Sequence, residues 1–229
     1  EKLIRFGAQV EVYDHHKTAE ADLSNLSGAK VVFDMERSGA GITYDEFHRQ
    51  PVQVDSPKET WRLPRPPLIN YVEDRDLWRW RLPDSREVSE DVFSVEHTFE
   101  QWEQLAVGVE HYYEQIVEAG KALLRAKRVR VAKVCENVQW FIFGAGGPTA
   151  VRVPVVNAAW DFAEIGEYLC ERFPETPCGG YYFDRADKRQ WGFRSRGAFD
   201  VSELCKQYGG GGHHNAAGFT TSLGWLPTS

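Results

Sequence analysis

Residues 8–16 read AQVEVYDHH, and the identity of this segment decides what the chain can be. The β-branched run through Val10 and Val12 predicts a short strand, and Asp14, His15 and His16 end it in a polar cluster. KVVFD (30–34) predicts a second strand. In ERSGAGITYDEFHRQ (36–50), Ser38 is placed to cap a helix whose Gly39 and Gly41 let it pack closely on a sheet. Strands alternating with helices at this spacing predict a parallel α/β sheet. Such sheets bind ligands at the carboxyl ends of their strands, where Asp14, His15 and His16 fall. Carboxylate oxygen with imidazole nitrogen suits a catalytic divalent metal such as Mn²⁺; the plainer reading is a polar turn with a capping aspartate.

A second acidic group follows an apolar element in LINYVEDRDLWRW (68–80). Glu73, Asp74 and Asp76 are metal-ligand candidates, set against a reading as surface acids paired with Arg75, Arg79 and Arg81. SPKETWRLPRPP (56–67) reads as a proline-rich surface loop. From Val92 to Arg128 the pattern predicts a long helix with an apolar stripe of Phe99, Leu105, Val109, Tyr112, Ile116, Leu123 and Leu124. Beyond it, RVRVAKV (128–134) and QWFIFG (139–144) predict a hairpin, and AVRVPVVNA (150–158) a further strand. DFAEIGEYLCERF (161–173) predicts a helix burying Phe162, Ile165, Leu169 and Phe173. CGGYYFDRADKRQWGFRSR (178–196) predicts a hairpin turning near 184–188.

Residues 209–218 read GGGGHHNAAG. The preceding segment predicts a helix with Asp200 as N-cap, Glu203 at the capping-box position and Gly209 at the C-cap. Gly210, Gly211 and Gly212 are then expected to form a loop. Successive glycine amides can make a concave nest for an anion, and His213 and His214 add directed donors. Arg194 and Arg196 would bring cations to the same pocket if their strand runs beside it. The alternative is a tight glycine-rich turn packed on a strand.

Composition limits the partners. The chain has 229 residues, 42% of them hydrophobic, and a net charge of −7, so nothing suggests bulk attraction to a nucleic-acid backbone. The sequence contains no apolar run of the 18 or so residues needed to cross a bilayer. Four scattered cysteines without metal-type spacing read as reduced thiols of a cytoplasmic protein.

Together these motifs resemble the DHH phosphoesterase family. VEVYDHHKTAEADL is similar to the segment that names it. RSRGAFDVSELCKQYGGGGHHNAAGF is similar to the DHH-associated domain, whose GGGH followed by xxAAG falls on Gly210–His213 and Ala216–Gly218. The resemblance covers nearly the whole chain. It implies an α/β fold, with residues 1–105 the later part of a parallel-sheet catalytic domain. A linker helix over 106–128 would then join it to a smaller α/β substrate-binding domain over 129–229. It also implies hydrolysis of phosphodiester bonds in short oligonucleotides or small nucleotides by a water activated on two metal ions, Mn²⁺ or another divalent such as Mg²⁺. His15 would be a direct ligand, with Asp14 and His16 orienting the site or contacting phosphate. Asp74 would be the later motif's metal-binding acid, with Asp76 as fallback. His213, the glycine amides, Arg194 or Arg196 and Asn157 would hold substrate phosphate.

The implied partner is short single-stranded nucleic acid or a small nucleotide, with no membrane; the oligomeric state stays open, a homodimer included. Aromatics around 78–80 and 181–193 read either as base-stacking groups or as core. Members of the family carry two further acidic motifs before DHH, so the chain is expected to be the remainder of a longer protein. A catalytically incomplete nucleotide-binding or sensing protein and a pyrophosphatase-type hydrolase are the alternatives.

Overall fold

The computed structural model describes residues 2–48, 65–144 and 150–227. Most of the expected proline-rich loop therefore lies outside the described residues. The chain divides into two compact units, Glu1–Arg125 and Ala126–Ser229. The fold is mixed α/β, with a parallel sheet in the first unit and a mixed sheet in the second, as the sequence predicts.

In the first unit, the short α1 (Lys2–Arg5) precedes β1 (Val10–Asp14). The chain crosses through α2 (Lys17–Leu23) to β2 (Ala29–Phe33), which pairs in parallel with β1. Next come α3 (Gly39–Phe47), α4 (Pro67–Asp76), α5 (Ser85–Val92), α6 (Phe99–His111) and α7 (Tyr113–Val134). Leu68, Val88, Val92, Leu105, Val109 and Val117 form the helical core.

Ser38 caps α3 as expected, its hydroxyl accepting from the Gly41 amide at 3.0 Å. The two α3 glycines serve different neighbours. A Cβ on Gly39 would meet the Tyr13 carbonyl oxygen at 3.4 Å, so this residue does lie on the sheet. At Gly41 the space belongs instead to the Glu73 carboxylate of α4.

An ion-pair network fastens α3 to α4. Arg65 donates to both Asp45 oxygens at 2.8 and 2.6 Å and to Glu73 at 2.9 Å, and Arg37 reaches Asp45 at 2.6 Å. The Arg65 hydrogen bond holds the Asp45 carboxyl below its ordinary value, against the opposing effect of burial. The folded pKa is the depressed one, so this contribution is whole above the unfolded value of about 4 and is lost as pH falls through the folded value. Asp45→Asn is expected to lower stability by about 1–3 kcal/mol at pH 7. Urea unfolding at pH 7 and pH 3 should show the gap to wild type closing in acid; a constant gap would show that the charge is not what matters.

Two expectations are corrected here. The stretch RVRVAKV is the last part of α7, not a strand. Its alternation imitates a period of two, but Val131 and Cys135, four apart, are the positions that bury, which is helical spacing. The strand expected to pair with it, β3 (Gln139–Phe143), pairs with β4 (Val151–Asn157). The helix expected over 92–128 is likewise several helices. The turns after Val92 and at Tyr112 reset the helical phase, which leaves Phe99, Tyr112 and Leu123 exposed while Leu105, Val109 and Leu124 bury.

The second unit is a six-stranded sheet in the order β3-β4-β5-β6-β8-β7. Its remaining strands are β5 (Cys178–Arg185), β6 (Lys188–Ser195), β7 (Gly211–His213) and β8 (Ala216–Ser222). Only β4–β5 is parallel. One face carries Phe141, Phe143, Tyr182, Trp191, Phe193 and Phe219 and packs on α9 (Val201–Lys206). The other face carries Val156 and Tyr181 and packs on Ile165 and Leu169 of α8 (Phe162–Arg172) and on the end of α7. No helix among the described residues is long and apolar enough to cross a membrane.

Candidate metal and phosphate sites

The parallel pairing of β1 and β2 sets two aspartates side by side at the sheet's carboxyl edge. Asp14 ends β1, and the amide of Asp34, just past β2, donates to the Asp14 carbonyl at 3.2 Å. Asp14 Oδ1 accepts from the His15 amide at 2.7 Å and lies 2.6 Å from His16 Nδ1. The chain after the strand therefore wraps around its own carboxylate. Burial pushes the Asp14 carboxyl up, but the His16 ring and the His15 and His16 amides outweigh it and hold the group below its ordinary value. The His15 and His16 rings lie 4.3 Å apart. His15 is largely enclosed and His16 half exposed.

The acids of α4 separate into three tasks. Glu73 reaches back to α3 and accepts from the Ser38 amide at 2.9 Å and from its hydroxyl at 3.2 Å. Asp74 is buried; it accepts from the Arg81 amide at 2.9 and 3.0 Å, the Leu82 amide at 3.2 Å and the Ser85 hydroxyl at 2.5 Å. Asp76 faces the DHH segment, its Oδ2 3.7 Å from His15 Nε2. Helical geometry explains the division. Residues three apart share a helix face, so Glu73 and Asp76 look toward α3 and β1 while Asp74 turns toward α5.

Asp14, His15 and His16 offer ligand atoms within 4.8 Å of one another, close enough for one cation. The gap of 3.7 Å between His15 and Asp76 is too long for a hydrogen bond. It is short enough for one ion to bond both atoms at about 2.1 Å each. The donor set therefore fits a divalent ion. Asp34 was not singled out in the sequence, although KVVFD ends in an acid just as VEVYD does. Its oxygens accept from the Glu36 amide at 2.9 Å and Arg37 Nε at 2.8 Å, and these two donors, the amide foremost, hold its carboxyl low.

In the second unit, the helix expected before the glycine run is α9. Asp200 caps it and accepts from the Ser202 amide at 2.8 Å, and Gly209 takes a positive φ of 76° just beyond it. The glycines do not form the expected loop. Gly211–His213 are the edge strand β7, paired with β8, so their amides lie along a strand rather than around a nest. Close approach accounts for two of the glycines: a Cβ at Gly210 would overlap the Gly218 carbonyl oxygen, and one at Gly212 would overlap that of Ala216. A Cβ at Gly211 would meet nothing within 4 Å.

The register still brings two expected residues together. Ala216 of β8 pairs with both Arg194 of β6 and His213 of β7. Residues directly opposite in a sheet share a face, so Arg194 and His213 flank Ala216 about 10 Å apart, two strand spacings. In the neighbouring row, Gly192, Gly218 and Gly211 align across the same three strands. The Tyr181 ring covers the Gly192 end.

The other expected residues lie elsewhere. His214 sits in the β7–β8 turn, its Nε2 3.1 Å from the Gly197 carbonyl and its Nδ1 3.3 Å from Asp200. Arg196 turns to Glu171 at 2.8 Å and Glu167 at 3.4 Å. Asn157 ends β4, four strands from β7 and so roughly 19 Å away. It aligns with Tyr182, on the opposite face from Arg194. Of the aromatics read either as base-stacking groups or as core, Trp191 and Phe193 are fully buried and Tyr181 and Tyr182 nearly so. Trp78 is exposed.

No model of a known protein family matches the chain. A curated relative, the uncharacterized protein R106 of Acanthamoeba polyphaga mimivirus, is 28% identical over 221 residues, which cover 94% of this chain and 49% of that protein. The chain thus spans about half the length of the curated relative it matches. Among solved structures it is similar to a pGpG-specific phosphodiesterase from Vibrio cholerae, with a TM-score of 0.43 and 11% identity over 97% of this chain and 83% of that one. It is also similar to an exopolyphosphatase-related protein from Bacteroides fragilis, with a TM-score of 0.40 and 11% identity over 96% and 60% of the two chains. Likenesses this loose identify no activity.

Proposed function

We propose that the chain carries the active site of a metal-dependent phosphoesterase of the DHH type, which hydrolyses phosphodiester bonds in short oligonucleotides or small nucleotides. The observation that carries this reading is the approach of Asp76 to His15 at the carboxyl end of a parallel strand. Two groups from distant segments, one nitrogen and one oxygen donor, converge where open α/β sheets place their ligands. The DHH and GGGH motifs at the two ends of the chain support the same reading.

His15 and Asp76 would bind the ion, Mn²⁺ being the metal expected, with Asp14 turning the His16 ring. A divalent ion there would supply Lewis acidity and lower the pKa of water toward neutral, so that hydroxide is available as the nucleophile. Asp74 is assigned to the turn after α4 rather than to the metal. Arg194 and His213 would hold a phosphate over the small residues between them. His213→Ala is then expected to raise KM for a dinucleotide about 10-fold, the value of one hydrogen bond to a charged group, with a smaller change in kcat. Unchanged kinetics would remove His213 from the site.

One observation favours a second reading, nucleotide binding without hydrolysis. Among the described residues, Asp14, His15 and His16 form the one clustered ligand group, and with Asp76 these donors amount to a single ion's worth. The test is cleavage of a labelled RNA dinucleotide with Mn²⁺ and with a chelator. Metal-dependent cleavage supports the hydrolase, whereas binding of the dinucleotide without turnover supports the second reading.

A further inference from the structure

Resting on the phosphoesterase reading, we infer that Trp78 is the platform on which the substrate's nucleobase stacks. The segment between α4 and α5 follows directly on Asp76. In it Trp78 and Trp80 both hold a φ of 53°, in the left-handed region that is unfavourable for an L-residue. Two bulky residues in that conformation within three positions persist only where the surroundings impose it.

The surroundings here are specific. The Arg79 amide donates to the Asp74 carbonyl at 2.8 Å, and the Arg81 and Leu82 amides donate to the Asp74 carboxylate. Arg79 Nη2 reaches across to Glu36, 2.8 Å from its carbonyl and 2.9 Å from its carboxylate. Glu36 follows Asp34 at the end of β2, so this contact ties the segment to the sheet edge that also carries Asp14.

Within the segment the two indoles differ. Trp80 is engaged: the Arg86 guanidinium lies 4.5 Å from its ring, and its Nε1 is buried without a hydrogen-bond acceptor among the described residues. Trp78 meets it at a steep angle, 73° at 4.8 Å, and no ring or cation among the described residues stacks in parallel on it. With 41% of its surface exposed, Trp78 is a large apolar ring held in the open next to a candidate metal ligand. Burying the ring would be the default for its area; left partly open two residues after Asp76, it offers a face on which a base can stack. Of the other aromatics named from the sequence between 181 and 193, Trp191, Phe193, Tyr181 and Tyr182 are buried and Phe183 is stacked on Phe162.

The test is calorimetric titration of the 229-residue chain, in Mn²⁺ buffer, with AMP and with ribose 5-phosphate, which keeps the sugar and phosphate but lacks the base. Wild type is expected to bind AMP about 10-fold tighter than ribose 5-phosphate, the low end of what base–aromatic stacking contributes. Trp78→Ala should erase that preference and leave ribose 5-phosphate unchanged, and Trp78→Phe should keep most of it. Trp78→Gly separates binding from folding: glycine adopts this φ freely, so its melting temperature should match or exceed that of Trp78→Ala while the AMP preference stays lost.

Equal binding of AMP by wild type and Trp78→Ala would overturn the inference, as would a wild type that does not distinguish AMP from ribose 5-phosphate or that binds neither. Failure of the hydrolase reading shows up separately. In that case the dinucleotide is not cleaved, yet the base preference and its loss in Trp78→Ala remain measurable.

Discussion

Asp76→Asn is expected to abolish tight Mn²⁺ binding, lowering affinity on the order of 100-fold or more, while leaving the unfolding free energy within about 0.5 kcal/mol of wild type. Asp76 is half exposed, and it approaches His15 without bonding to it. Removing its charge therefore withdraws an anionic donor without orphaning any neighbour. Asp74→Asn should do the reverse. Its carboxylate accepts two backbone amides and a hydroxyl in a buried setting. An amide nitrogen in place of one oxygen opposes a donor to a donor there, with a cost of about 2–4 kcal/mol. Paired metal titrations and urea unfolding of the two variants give a crossed pattern. If Asp74→Asn loses the metal at unchanged stability, the two assignments must be exchanged.

That crossed pattern shows where the sequence could be read and where it could not. Glu73, Asp74 and Asp76 sit within four residues, and by composition all three are equal candidates. Their division depends on α4 being a helix, which sends Asp74 to a different face from the other two. LINYV at its start reads equally as an apolar strand or helix, because a short apolar run has no period of its own. The strand of the DHH segment was legible because β-branched residues end abruptly in polar ones. The α8 helix was legible because Ile165 and Leu169 repeat at four.

The glycine run was misread for a physical reason. Glycines signal close backbone approach equally well in a loop and in a strand, and only pairing decides which. At Gly212 the neighbour is the Ala216 carbonyl of the paired strand, a partner only four residues away that no periodicity in GGGGHHNAAG points to. The Arg194–Ala216–His213 row was similarly hidden, because it depends on β8 inserting between β6 and β7.

Gly120→Ala is expected to destabilise the first unit by about 2–3 kcal/mol, although glycine to alanine in a helix ordinarily gains up to about 1 kcal/mol. Gly120 lies in α7 where it crosses α5, and a Cβ there would overlap the carbonyl oxygen and carbon of Glu87, with its Cα at 2.8 Å. All three atoms are backbone, so relief requires α5 itself to shift. Gly108 in α6 gives the contrast. A Cβ there would meet Ile116 Cδ1 at 3.2 Å, the far end of a side chain that can rotate, so Gly108→Ala should be near neutral. Urea midpoints of the two variants decide the matter, and a Gly120→Ala as stable as Gly108→Ala would refute the backbone account. The displacement should also reach the proposed metal site. Glu87 shares the first turn of α5 with Ser85, which bonds Asp74, and Asp74 holds the segment that follows Asp76. Gly120→Ala should therefore weaken Mn²⁺ binding as well as the fold, although Gly120 itself touches no metal ligand.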